Sequence, residues 1–107
     1  MERVAISNAV HLKLNHLLDV LIKKGYFHIF ENAEQYVNNI YDFIQTTPAQ
    51  QHYPIQNSKH GKYYSRYKAN MHTTYYIVFD ILDDVYYIGN IFHNHSREYS
   101  IYIKKEK

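Results

Sequence analysis

The sequence predicts an α+β fold: a two-helix hairpin packed on one face of a twisted, mainly antiparallel sheet of four or five strands. Three observations lead there. Apolar residues recur at helical spacing twice within residues 8–47. From Lys62 onward the period changes to two, with β-branched and aromatic residues in runs. Helical and extended segments come in separate groups and do not alternate, which argues against a parallel α/β sheet. At 107 residues, the chain has the length of one domain, taken as 1–107.

Each element follows from its residues. "VAIS", residues 4–7, reads as a short first strand. Ser7 or Asn8 then caps a helix over 8–24, where Val10, Leu14, Leu17, Leu18 and Leu21 share a stripe. Lys23 and Lys24 suit the negative helix end, and Gly25 is the expected stop. After "YFHIF", Asn32 and Gln35 have the spacing of a capping box. Ala33, Tyr36, Val37, Ile40, Phe43 and Ile44 give the second stripe, which Pro48 terminates. Residues 48–61 are polar, contain two Pro and a Gly, and read as a long loop. "KYYSRYKA" is a strand with Tyr64, Arg66 and Lys68 on one face, and Tyr63, Ser65 and Tyr67 on the other. "TYYIVFDIL" and "VYYIGNIFH" form a hairpin around Asp83-Asp84. "EYSIYI" is expected as a last short strand before the tail "KKEK". With both helices on one face, the other face of the sheet is left partly open.

Composition narrows the classes. No stretch approaches the ~20 apolar residues of a membrane span, and "MERVAISNAV" lacks a signal-peptide layout. The absence of cysteine removes disulfides and thiolate metal sites. There are 13 Tyr and no Trp, which suits half-buried sheets and base stacking alike. Net charge is +2, unevenly spread: residues 59–107 carry eight Lys or Arg against five acids, and Lys59 to Met71 contains no acid. That is a mild basic patch.

"HNHSR", residues 93–97, ends the last long strand with His93, His95 and Arg97. Histidine moves protons near neutral pH, and the arginine fork matches phosphate oxygens. The group therefore reads as a phosphate-handling site on the open face, since His93 and His95 share parity on a continued strand. The ordinary alternative is a solvated strand end. Two histidines fall short of a zinc ligand set, so no metal is expected. His11 and His16, five apart on the first helix, read as surface or packing residues.

The helical hairpin of 8–47, the basic strand "KYYSRYKA", the hairpin "TYYIVFDILDDVYYIGNIFH" and the "HNHSR" after it together resemble the RelE/ParE superfamily of bacterial type II toxins. The resemblance spans nearly the whole chain. It implies a cytoplasmic toxin neutralised by a cognate antitoxin protein. Its RelE-like branch cuts mRNA in the ribosome without metal or cofactor. Its ParE-like branch inhibits DNA gyrase and cuts nothing, and some relatives have no demonstrated activity; an inactive protein-interaction domain is the remaining alternative for this chain. On the nuclease pattern, Arg66 and Arg97 match the family's phosphate-binding cations, and Tyr102, or else Tyr99, its C-terminal tyrosine. His95, with His93 beside it, is then the candidate acid or base, and Lys59, His60, Lys62 and Lys68 the contacts to the RNA backbone.

Overall fold

Ser7 starts the first helix, and the way it does so fixes one edge of the sheet. Its side chain accepts the Val10 amide at 3.3 Å, which satisfies one of the free donors of the first turn. Its own amide donates to the Ile88 carbonyl at 3.0 Å, tying the helix entry to the sheet. In the computed structural model, which describes residues 2–25, 30–55 and 58–103, the elements follow in order. They are β1 (Arg3–Ile6), α1 (Asn8–Lys23), α2 (Phe30–Gln45), β2 (Tyr53–Pro54), β3 (Tyr63–Lys68), β4 (Thr74–Leu82), β5 (Val85–His93) and α3 (Arg97–Tyr102). The fold is the expected α+β arrangement. The expected linker around "YFHIF" and the tail "KKEK" fall largely or wholly outside the described residues.

The sheet has five strands in the order β1-β5-β4-β3-β2. β1 runs parallel to β5, and the remaining pairs are antiparallel. Asp83 and Asp84 turn β4 into β5 with φ of 51° and 66°, the two left-handed positions that a tight hairpin requires and that Asp tolerates. β4 and β5 are not in simple register. Val78 pairs with Asn90 but Phe79 pairs with Ile88, so β5 carries one extra residue, Gly89. The chain around His60 and Gly61 presses against the sheet here. A Cβ on Gly89 would stand 2.4 Å from the His60 carbonyl oxygen, and one on Gly61 2.5 Å from the Phe79 backbone. Only glycine leaves room for both approaches.

The helices cover one face. Val10 and Leu14 from α1, and Ala33, Val37, Ile40 and Ile44 from α2, pack on Tyr75, Ile77, Phe79, Tyr86, Ile88 and Ile91. Thr47 and Pro48 end α2 through a short 3-10 turn, with the Thr47 hydroxyl donating to the Ile44 carbonyl at 2.6 Å. A second, smaller cluster occupies the other face, where Ile55, Tyr76, Val78 and Phe92 are covered by Tyr64, Tyr99, Tyr102 and Ile103.

Three expectations change. Asn32 lies inside α2, which begins at Phe30, so it is no cap; Gln35 donates instead to Asn39 at 2.8 Å. The loop over 48–61 contains β2, which pairs Tyr53 with Tyr64 at the sheet edge. "EYSIYI" forms the helix α3 and adds no strand. Its residues fit both periods: Tyr99, Ile101 and Ile103 alternate, whereas Tyr99, Tyr102 and Ile103 share a helical face. Ser96 decides the matter by accepting the Tyr99 amide as N-cap, and the apolar surface of Tyr76 and Phe92 receives the helical set. α3 thus covers part of the face that was expected to be partly open.

Candidate nucleic-acid interface

Arg66 is the centre of the second face. Alternation along β3 places it with Tyr64, away from the helices, and it is exposed. Its guanidinium lies 4.5 Å over the Tyr53 ring and donates to the Tyr53 hydroxyl oxygen at 2.8 Å. From there aromatic rings run across the sheet. Tyr53 stacks on Tyr64 at 5.3 Å, Tyr64 meets Tyr76 at 5.6 Å, and Tyr76 meets Tyr99 at 5.3 Å. The Tyr76 and Tyr99 rings lie tilted at 36° to one another. Burial pushes the phenols of Tyr64 and Tyr76 above their usual range, while the nearby Arg66 charge works against it. These phenols therefore stay protonated at neutral pH. A fixed cation beside O–H donors and stacked rings is suited to a phosphate and the bases attached to it.

The histidines lie elsewhere. Because of Gly89, the even residues Tyr86 and Ile88 face the helices in the first half of β5, and the odd residues Ile91 and His93 do so in the second. His93 is thus on the helix side, with its ring 5.7 Å from Tyr75. The expectation that His93 faces the open side is overturned by that single bulge residue, which reverses the parity. Burial, followed by the charge of His95, lowers the His93 pKa. Its Nδ1 accepts the His95 amide at 3.1 Å, so the neutral ring carries its hydrogen on Nε2. His95 sits past the strand end, and its Nε2 is 2.8 Å from the His72 carbonyl oxygen. A carbonyl can only accept, so Nε2 is the protonated nitrogen there. Asn94 binds the same turn, through Thr74 and His72. His95 thereby joins the β3–β4 turn to the end of β5 and does not enter the Arg66 group.

The other candidates divide. Lys68 shares the Arg66 face of β3 and is exposed. Lys59, His60 and Lys62 are exposed on the segment that presses on the bulge, with the Lys62 amide bound to Asp80 at 2.9 Å. Arg97 opens α3, exposed and without a hydrogen bond or ion pair among the described residues. Tyr102 packs on Phe92 at 6.1 Å, whereas Tyr99 reaches the Arg66 group. Of the two candidate C-terminal tyrosines, Tyr99 is the one that joins the series of rings leading from Arg66, through Tyr76.

Sequence reasoning missed Tyr53, Tyr64, Tyr76 and Tyr99 as a unit. The parity of Tyr64 with Arg66 was a usable signal, but the other three depend on pairing register and on α3. A groove of about 520 Å³ lies between α1 and β5, lined by Leu12, Leu17, Val20, Tyr75, Ile91 and His93 among others. Among the described residues, no three His, Cys, Asp or Glu side chains gather to hold a metal ion, and no helix is long and apolar enough to cross a membrane. No protein-family model matches the chain, and no curated protein or solved structure matches it either.

Proposed function

We propose that this chain is the toxin of a type II toxin–antitoxin pair of the RelE/ParE kind, acting in the cytoplasm on mRNA bound in the ribosome. The observation that carries the reading is Arg66 on the side of the sheet away from the helical hairpin, bound to Tyr53 and followed by the rings of Tyr64, Tyr76 and Tyr99. In RNA cleavage by the neighbouring 2′-hydroxyl, the O2′–P bond forms and the P–O5′ bond breaks. Negative charge builds on the phosphorane oxygens, and the leaving 5′ oxygen needs a proton. Arg66 stabilises that charge through its fork. The phenols donate to the phosphate or the leaving oxygen, and burial raises the pKa of those of Tyr64 and Tyr76. Lys68 on the same face supports the adjoining backbone. The reading gives this chain the phosphate-holding and leaving-group roles. The 2′ proton passes to solvent water, and the phenol that protonates the leaving oxygen regains its proton from solvent; His93 and His95 are engaged away from the Arg66 group.

The test is a map of transcript 5′ ends in growing bacteria, minutes after induction of the chain without a partner. New ends inside translated regions, at a repeated position within codons and absent with Arg66→Ala, are the expected result. Growth arrest with an unchanged map would overturn the nuclease reading in favour of a binding target such as gyrase. An unchanged map with normal growth would leave a plain interaction domain.

A further inference from the structure

Lys13, on the opposite side of the molecule's sequence from α3, is bound there more tightly than a surface lysine needs to be. Its ammonium lies 2.7 Å from Asn90 Oδ1, 3.0 Å from the Ile91 carbonyl oxygen, and 3.0 and 3.1 Å from the two Glu98 oxygens. The Asn90 amide donates to Glu98 Oε2 at 3.0 Å, and Asn90 Oδ1 also accepts the Ile91 amide at 2.8 Å. The bulge and the end of β1 make this possible. β1 stops at Ile6 opposite Ile88, so beyond it the edge of β5 is free for Lys13 to reach.

The Lys13 and Glu98 side chains are 41% and 35% exposed. An ion pair that wet adds little to stability. What the group does supply is direction: each partner is held by more than one hydrogen bond, and Asn90 is 5% exposed. α3 needs such direction. It has six residues, none fully buried, and is too short to persist alone. Glu98 directly precedes Tyr99, the residue of α3 that joins the Arg66 group.

We infer that Lys13, Asn90 and Glu98 are positioning residues, which fix α3 so that Tyr99 stands against Tyr76 in the series of rings leading from Arg66. The inference rests on the reading of the Arg66 group as the RNA site. Tyr99 is the residue that touches substrate in that reading, and Glu98 acts only through it.

The test uses the full chain labelled with 3-fluorotyrosine, with the Tyr99 fluorine signal assigned by its loss in Tyr99→Phe. Glu98→Gln and Lys13→Gln, on opposite sides of the contact, are expected to move the Tyr99 signal while thermal melting stays close to that of the parent chain. Each is expected to weaken binding of a single-stranded RNA hexamer about tenfold, the scale on which small displacements act. Combined with Tyr99→Phe, neither is expected to weaken binding further, because both losses pass through the same hydroxyl. A Tyr99 signal that stays in place in both variants overturns the inference, and so do losses that add. If Arg66→Ala binds the hexamer as well as the parent chain, the reading of the site fails, and the fluorine signal alone decides the positioning.

Discussion

The two faces of the sheet are built by different chemistry. The helix side is mainly aliphatic and closed: Val10, Ile40, Ile44, Ile77 and Phe79 are fully buried and interlock between α1, α2 and the strands. The other side is aromatic and half-wet, with phenol hydroxyls, an exposed guanidinium and a six-residue helix as its only cover among the described residues. The first arrangement stabilises by removing apolar surface from water. The second leaves polar groups in reach of a ligand, at some cost in burial. The contrast teaches that stability and recognition are separated across one sheet, with a thickness of backbone between them.

Four substitutions break or sharpen that contrast. The largest effect is expected from Phe79→Ala on the closed side, which removes a fully buried ring and destabilises by about 3–5 kcal/mol in urea unfolding. Arg66→Ala on the other side should do the reverse. It leaves unfolding within about 0.5 kcal/mol of the parent chain, as exposed substitutions do, yet lowers RNA cleavage about 10²-fold or more. Gly89→Ala tests the seam between the faces. The new methyl would collide with the His60 carbonyl, so a loss of about 1–3 kcal/mol in unfolding is expected. The smallest effect concerns His93. Its folded pKa is lowered, so below the unfolded value of about 6.5 the unfolded chain binds the extra proton. Stability should therefore fall as pH drops from 7 toward 5, and His93→Gln should flatten that fall in melting curves taken across the range.

The closed side was legible because it depends on local periodicity. Val10, Leu14 and Leu21, then Ala33, Val37, Ile40 and Ile44, announce two helices with one buried stripe each, and the structure buries those residues. The Asp83-Asp84 hairpin was legible for the same reason: turn chemistry is carried by adjacent residues. Arg66 was singled out through the resemblance, and its parity on β3 grouped it with Tyr64 and Lys68. The ring of tyrosines around it was not, because Tyr53, Tyr76 and Tyr99 come from β2, β4 and α3, and only pairing brings them together. His93 was expected on the open face with His95 on a continued strand, but β5 ends at His93 and the Gly89 bulge sets that residue toward the helices.

The sequence by itself determined the fold class, the two helical stripes and the β4–β5 hairpin. These follow from interactions between residues a few positions apart. The tertiary structure decided the parity of β5, the helical state of residues 97–102 and the identity of the C-terminal tyrosine that packs on Tyr76. Each of those turns on a competition between near-equal local options. A bulge, an N-cap and the apolar surface of Tyr76 and Phe92 settled them, and the last exists only once the sheet has formed.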